Sequence, residues 1–388
     1  MRACLLLLLG LCCMSLQAAG PEADESAAPA STEESSWKEK FVDRQDGKFD
    51  ASAFLASAYG FVPIGSIITD PAIGYGGALG LIFIQPNQDP TTHQTMRPNL
   101  TAVGGFATEN GSWGGFSGHS GLWQGGRLKT LAGAFYTSLN LEYFGQGEAL
   151  QDAPLEYNLL AWGTIVQADR KIGDSSFWSG LRYVFADATV EFDFGNIVPG
   201  LGPLDYGQRM SGLTPILIYD TRDNFFTPTR GTYAEGNLAV FSEALGGDAD
   251  FQIATLTGMW YRPLGPKLAF GIRGDFSASF DDVPFYLRPY VQLRGIQSLQ
   301  LQGENLAQAE VELRWQRWGR YSLVAFAGGG VVWNDLDNFE NERSTATGGV
   351  GVRYLLARLF GLHMGIDIGF GPDDPILYIQ FGSAWFRP

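Results

Sequence analysis

Apolar and polar side chains alternate strictly along several stretches of this chain. From Lys267 to Phe280, one set of alternate positions is apolar and the positions between them are polar or small. The same alternation runs from Ala307 to Gln316 and from Leu362 to Phe370. Because successive side chains of a β-strand point to opposite faces, each stretch predicts a strand with one apolar and one polar face.

The length and number of these segments distinguish between two β architectures. A soluble β-sandwich also alternates, but its strands are usually about 5 to 6 residues long. Segments such as Arg127–Phe144 and Leu155–Arg170 are longer and suit a tilted membrane span of about 9 to 11 residues with extensions. We count about sixteen segments from Tyr59 to Phe386, an even number that lets a barrel close. The sequence therefore predicts an all-β fold, a closed transmembrane antiparallel β-barrel over residues 51–388.

The first twenty residues have the order of a secretory signal peptide. Arg2 precedes the apolar run from Ala3 to Leu11, and the small residues Ala18–Gly20 follow. A lipoprotein signal using Cys12 or Cys13 is the alternative, although the residue before each cysteine is not small. A retained membrane helix would need about 20 apolar residues. We predict that residues 1–20 are a cleaved signal peptide.

Residues 21–50 are rich in Ala, Glu, Ser, Asp and Pro, a composition that cannot bury enough apolar surface to fold. They are predicted to be a disordered periplasmic leader. The cluster of Asp43, Asp46, Gly47 and Asp50 raises the alternative of a calcium site, but it lacks the ligand spacing and final glutamate of a calcium loop. We therefore predict no metal site.

Composition narrows the class of protein further. The chain contains 51 Gly, 27 Phe and 10 Trp, which suits the curvature and the aromatic girdles of a membrane barrel. Its net charge of −15 argues against nucleic acid as a partner. All three cysteines lie within the proposed signal peptide, so the exported chain would have no disulfide and no thiolate. We expect no cofactor.

Histidines are too few to favour catalysis. The chain has His93, His119 and His363, and a lipase-like site would need a serine next to a histidine. His119 lies near Ser117 and Ser120, but adjacent residues of a strand point to opposite faces. We therefore expect that the chain is not an enzyme.

Three motifs in the C-terminal half occur in a recognisable order. The first is a polar turn between two strands, with Asp220, Arg222 and Asn224 followed by Arg230 and Gly231. The others are the tetrapeptide Leu293–Ile296 and a glycine-rich strand; the latter contains Gly349, Gly351 and Arg353. Together they resemble the motifs of the BamA/TamA bacterial surface-antigen (D15-like) superfamily of outer-membrane barrels.

The resemblance implies a role for the long connection between the eleventh and twelfth strands. In that family this loop enters the lumen, which would place Arg294 and Gly295 beside acidic groups of the barrel wall. Strand parity independently puts one set of charged residues on the inward face: Glu310, Glu312, Arg314, Arg353 and Asp367. The alternative is that Arg294 lies in a solvated loop.

The end of the chain carries a further candidate signal. Gln380, Gly382 and Trp385 resemble the C-terminal signal by which outer-membrane barrels are recognised for insertion. The departure is a short extension, Phe386–Pro388, that places the last aromatic inside the terminus. A final strand that simply ends in aromatic residues is the alternative.

The resemblance also implies a location and a class of function. It implies a bacterial outer-membrane barrel, surrounded by outer-membrane lipid and inserted by the barrel-assembly machinery. The function would be protein or lipid assembly or translocation with periplasmic accessory proteins; the alternative is a passive pore or structural barrel. Two departures from the family's pattern argue against assigning the family's function directly to this chain. Phe326 is followed by Ala327–Gly330 without the family's acidic residue, and residues 21–50 are too few for the periplasmic POTRA modules of the family's assembly members.

Overall fold

The computed structural model describes residues 41–57, 60–88, 95–145, 154–192, 204–334 and 342–386. The predicted signal peptide and residues 21–40 lie outside these ranges. The described chain forms one sheet of sixteen antiparallel strands in sequence order. The first eight are β1 (Gly60–Ile68), β2 (Gly76–Gln88), β3 (Thr95–Thr108), β4 (Trp113–Trp123), β5 (Leu128–Tyr143), β6 (Leu155–Lys171), β7 (Phe177–Phe192) and β8 (Leu204–Asp220). The second eight are β9 (Gly231–Phe241), β10 (Phe251–Gly265), β11 (Leu268–Phe280), β12 (Asn305–Trp318), β13 (Tyr321–Trp333), β14 (Arg343–Ala357), β15 (Leu362–Phe370) and β16 (Ile376–Phe381).

The predicted fold class is confirmed, and the alternation of side chains accounts for it. On β11 the side chain of Ile272 faces outward at 38% exposure, while the next residue, Arg273, is 7% exposed in the lumen. The neighbouring strand repeats this pattern, since Val311 pairs with Ile272 and Glu310 pairs with Arg273. The barrel therefore has an apolar outer face and a lumen that is polar in its middle section.

The barrel is nearly closed. Backbone ladders join each strand to the next from β1 to β16, and among the described strands no ladder joins β16 back to β1. β16 has only six residues, since Gly382 then turns the chain at a φ of 78°. We call this unpaired boundary between β1 and β16 the seam.

Helical structure is scarce. Helix α1 (Ser52–Ser57) precedes β1, and 3-10 turns occupy Glu243–Leu245, Phe285–Leu287 and Arg358–Phe360. In the described part of the chain, no helix is both long and apolar enough to cross a membrane.

The two ends of the barrel differ in what fills them. We call the end with the chain termini the terminal end and the opposite end the loop end. At the loop end, Tyr286, Tyr290 and Leu299 of the β11–β12 connection pack on inward side chains such as Leu159 and Val190. At the terminal end, a second apolar cluster closes the opening; it contains Ala51, Phe225, Phe226, Ala357, Phe360 and Leu362. A cavity of about 630 Å³ lies between them.

Candidate functional site in the barrel lumen

The β11–β12 connection folds into the barrel, as the family resemblance implied. A single bridge between Tyr290 and Gln302 closes its base. Between them, Val291, Leu293 and Ile296 are buried against the inner wall in one apolar cluster. This packing holds Arg294, which lies between Leu293 and Gly295, at a fixed depth in the lumen.

Arg294 contacts three carboxylates of the barrel wall. Its Nε donates to Glu310 Oε1 at 2.9 Å, and its Nη1 donates to Asp367 Oδ2 at 2.9 Å. The same Nη1 lies 2.8 Å from Glu312 Oε2. Only 5% of Arg294 is exposed, so the guanidinium depends on these partners for the charge compensation that water would otherwise supply.

Phe326 supplies a contact that the sequence analysis missed. The guanidinium carbon of Arg294 lies 3.7 Å from the centre of the Phe326 ring, a cation–π geometry. Phe326 pairs directly with Glu312 on the neighbouring strand. Although no acidic residue follows this phenylalanine, carboxylates from β12 and β15 lie beside the arginine.

Asp367 joins a second arginine to this arrangement. Arg353 Nη2 donates to Asp367 Oδ2 at 2.7 Å, and Arg353 Nη1 also bonds the same carboxylate. Asp367 is fully buried. The structure thus brings Arg294 together with Glu310, Glu312, Arg353 and Asp367 of the predicted inward face, whereas Arg314 donates to the carbonyl oxygen of Pro228 instead. With Phe326 added, we call these residues the lumenal cluster: Arg294, Glu310, Glu312, Phe326, Arg353 and Asp367.

Gly295 fixes the position of the loop against the last strands. Its φ is 104°, and a Cβ there would lie 2.7 Å from the carbonyl oxygen of Phe370. Its N–H donates to the hydroxyl of Tyr378 on β16 at 2.9 Å. Three residues later, Ser298 Oγ donates to Asp70, which follows β1, at 3.0 Å. One short stretch of the loop therefore contacts both sides of the seam.

The predicted polar turn lies between β8 and β9 at the terminal end. Arg222 donates two hydrogen bonds to Asp220, at 2.9 and 2.7 Å, and stacks 4.4 Å from the ring centre of Tyr233. Gly231 has a φ of 107°, and a Cβ would lie 2.3 Å from the carbonyl oxygen of Thr221. The Arg230 backbone N–H donates to Asp223 at 3.1 Å. The motif residues shape this turn through local bonds.

Asn224 connects this turn to a distant one. Its Oδ1 accepts from the N–H groups of Phe226 and Thr227, and its Nδ2 donates to Phe360 in the β14–β15 turn at 2.9 Å. This bond draws Phe225 and Phe226 across the barrel opening, where they pack with Phe386. The turn motif therefore helps to close the terminal end.

The residues of the proposed C-terminal signal lie on both sides of the end of β16, whose last residue is Phe381. Gln380 lies on β16 and pairs with Gly365, but Gly382 ends the strand. Trp385 then enters the lumen, where it is 3% exposed and its Nε1 donates to Glu310. Trp385 is thereby a further neighbour of the lumenal cluster. The role of these three residues as an insertion signal stays a prediction.

Residues 41–50, the last part of the predicted disordered leader, contact two turns at the terminal end of the barrel. Arg320, in the β12–β13 turn, is almost completely buried and bonds three carboxylates of this segment: Asp43, Asp46 and Asp50. Arg358 of the next turn at this end contacts Asp43 and Asp46 as well. The aspartates that suggested a calcium site are thus bound by guanidinium groups, and no group of metal-binding side chains occurs among the described residues. We call residues 41–50 the strap.

The fold and the lumenal cluster define a class: an antiparallel barrel of sixteen strands whose longest described loop is anchored by an arginine inside the lumen. Comparison with family models makes the assignment specific. Residues 208–383 match the Omp85 superfamily domain. Residues 208–383 are therefore similar to that domain, and the resemblance of the chain to the BamA/TamA superfamily is confirmed. A comparison with curated protein sequences gives no match.

Solved structures share the fold. BamA from Haemophilus ducreyi lacking POTRA domains 1–3 is 13% identical with a TM-score of 0.56, over 89% of this chain and 80% of that chain. CdiB from Escherichia coli is 10% identical with a TM-score of 0.59, over 82% of this chain and 61% of that chain. CdiB from Acinetobacter baumannii is 11% identical with a TM-score of 0.53, over 83% and 59%. The chain thus spans about three fifths of each CdiB chain.

Proposed function

We propose that this protein is a bacterial outer-membrane barrel that acts in protein or lipid assembly or translocation, with the seam as its working element. Its apolar outer face suits the hydrocarbon of a bilayer, and the terminal end would lie in the periplasm. The Omp85 superfamily domain and the likeness to BamA and CdiB support the class of function. Periplasmic partner proteins would deliver the cargo, and the barrel-assembly machinery would insert the chain itself.

The filling of the lumen is the observation that carries this proposal. The loop end is packed by Tyr286, Tyr290 and Leu299, and the terminal end is closed by Phe225 and Phe226. A passive pore needs a continuous aqueous path, whereas here apolar clusters pack inside the lumen on both sides of the cavity. In the described strands, by contrast, the seam leaves the backbone groups of two strand edges without a ladder partner, and another strand can pair at such an edge.

We also propose that the barrel is not an enzyme. The ring of His119 contacts Thr101 Oγ1 at 2.9 Å, and His363 Nδ1 lies 3.1 Å from the carbonyl oxygen of Gly361. A serine nucleophile would need a histidine within hydrogen-bond reach. The partners of these two rings are thus a threonine hydroxyl and a backbone carbonyl, and His93 lies outside the described residues.

A reversible crosslink across the seam tests the working element. Ser66 on β1 and Gln380 on β16 both line the lumenal cavity beside the seam. A strain that lacks the protein would be complemented with the Ser66→Cys/Gln380→Cys variant, and the protein and lipid content of its outer membrane would be measured before and after reduction. We expect complementation only when the disulfide is reduced.

The control places the same crosslink where strands already pair. Val352 on β14 is directly opposite Ile366 on β15, so a disulfide there leaves the seam free. Full complementation by the oxidised seam variant would contradict the proposal. Ion conductance of the purified wild-type barrel, sustained without partners, would support the passive-pore alternative instead.

A further inference from the structure

Charged side chains are distributed unequally between the two ends of the barrel. At the terminal end, the β10–β11 turn carries Lys267, and Arg262 and Arg317 lie near the ends of the flanking strands β10 and β12. The backbone N–H of Gln316 donates to the carbonyl oxygen of Lys267 at 2.8 Å, which brings the turn alongside the end of β12. We call Arg262, Lys267 and Arg317 the basic rim.

Tryptophan side chains surround the basic rim on the outer face. Trp315 and Trp318 are 44% and 56% exposed, and the Arg317 guanidinium carbon lies 5.3 and 5.5 Å from their ring centres. Trp260, on the same strand as Arg262, is also exposed. Exposed tryptophans of membrane proteins concentrate at the level of the lipid headgroups. The cations of the rim therefore lie at the depth where headgroup phosphates are found.

The carboxylates of the terminal end do not neutralise this rim. Asp174 pairs with Arg127, and Asp220 pairs with Arg222. Asp223 accepts hydrogen bonds from the backbone of Thr229 and Arg230 in its own turn, and the aspartates of the strap bind Arg320 and Arg358. Across the residues that the structure describes, a further set of cations at this end has no carboxylate within ion-pair distance. It comprises Arg44, Lys48, Arg170, Lys171, Arg230, Arg262, Lys267 and Arg317.

At the loop end, acidic side chains without an ion-pair partner are in excess among the described residues. Arg209 pairs with Asp248 there, and Arg343 donates to the carbonyl oxygens of Gly145 and Gln302. Several acidic residues of that end have no ion-pair partner in the described ranges: Glu109, Glu156, Glu191, Asp205, Glu243, Asp250, Asp281, Asp282, Glu342 and Asp374. A chain with a net charge of −15 thus concentrates its uncompensated positive charge at one membrane interface.

We propose that the basic rim is a binding surface for the headgroups of anionic phospholipids in the leaflet at the terminal end. A phosphate needs accessible cations, and all three cations of the rim have no carboxylate competing for them. A bound headgroup would also place its acyl chains against the apolar outer face next to the rim, where Leu313 and Ile272 are exposed. A soluble polyanion would gain nothing from the adjacent tryptophans and apolar surface, so a lipid fits better. This inference rests on the membrane placement proposed above.

Lipid retention measured by native mass spectrometry tests the proposal. The detergent-solubilised full barrel would be titrated with phosphatidylglycerol or phosphatidylcholine of the same acyl composition. We expect the wild type to retain phosphatidylglycerol preferentially. The Lys267→Gln/Arg317→Gln variant should bind it about 25-fold more weakly, since each of the two removed cations contributes roughly a fivefold effect near an anionic lipid surface. The preference should also fall as ionic strength rises.

Two further variants make the result specific. Arg209→Gln/Arg288→Gln removes the same charge at the loop end and should keep the preference for phosphatidylglycerol. Arg317→Lys keeps the charge of the rim and should retain most of the binding. Equal retention of the two lipids by the wild type, or equal losses in the rim and loop-end variants, would overturn the proposal. Failure to retain either lipid would contradict the membrane placement itself.

Discussion

The indole nitrogen of Trp385 donates a hydrogen bond to the carboxylate of Glu310 in the middle of the lumen. Trp385 comes from the C-terminal tail, and Glu310 is also the acceptor for the arginine of the long loop. One carboxylate of the wall therefore links two segments that enter the barrel from opposite ends.

Truncation of the loop arginine should destabilise the barrel. Arg294→Ala leaves Glu310, Glu312 and Asp367 with less positive charge nearby, but the cavity beside the cluster can rehydrate them. We therefore expect a loss of about 1 to 3 kcal/mol in the free energy of unfolding, with greater cleavage of the loop by added protease. Arg288→Ala is the control, since Arg288 lies 3.9 Å from Glu304 outside the cluster. Equal effects of the two variants would show that Arg294 has no special role.

The pairing within the lumenal cluster should be strongest where the hydrogen-bond geometry is best. Arg294 bonds Glu310 directly, whereas its approach to Glu312 is an ion pair without a hydrogen bond. Double-mutant cycles with Glu310→Gln and Glu312→Gln should give a larger coupling energy for Glu310, in the range of about 0.5 to 3 kcal/mol. If the effects of the single substitutions on the free energy of unfolding are strictly additive in both cycles, these contacts have no coupling energy.

Gly295 should tolerate no side chain, for steric reasons. Gly295→Ala would place a Cβ 2.7 Å from Phe370 in addition to the cost of a positive φ. Gly246→Ala is a matched control, because Gly246 has a φ of 97° and open space around its Cβ position. We expect Gly295→Ala to lower the thermal midpoint of unfolding by more than Gly246→Ala does. Equal shifts would mean that backbone strain alone decides the effect.

The strap should detach in acid. The hydrogen bond from Arg320 lowers the pKa of Asp46 from its ordinary value of 3.8 to about 2, and burial of Asp50 is outweighed by hydrogen bonds that lower its pKa as well. A carboxyl with a lowered pKa stabilises the folded state above its ordinary pKa, and this contribution disappears as the pH falls through the folded value. We therefore expect release between about pH 4 and pH 2.

A spin label at Val42, which is half-exposed, would report this release as a sharper spectrum. The Arg320→Gln variant should show the sharp spectrum already at neutral pH, because the aspartates lose their buried partner. If the label stays immobile both in acid and in the Arg320→Gln variant, Arg320 does not anchor the strap.

Strand parity was enough to place the walls of the site. Alternation put Glu310, Glu312 and Asp367 on the inward face, and the structure has them there, because a period of two leaves no freedom in which face a residue takes. The lumenal position of Arg294 came instead from the family motif, since nothing in the local sequence of a loop specifies which way it folds.

Other contacts of the site could not be predicted from a local sequence pattern. Phe326 contacts Arg294 only because the loop enters the barrel to one particular depth. Trp385 reaches Glu310 only because Gly382 ends the last strand, and the strap is ordered only because Arg320 and Arg358 come from two adjacent turns. Each of these contacts joins segments far apart in sequence.

Because one loop contacts both sides of the seam, its movement would affect the two sides together. Gly295 bonds Tyr378 and Ser298 bonds Asp70, so a displacement of one four-residue stretch would break both contacts together. Opening at the loop end would then be cooperative, with few partly open states. A ligand that shifts this stretch would act as a trigger, since it would remove two restraints in a single movement.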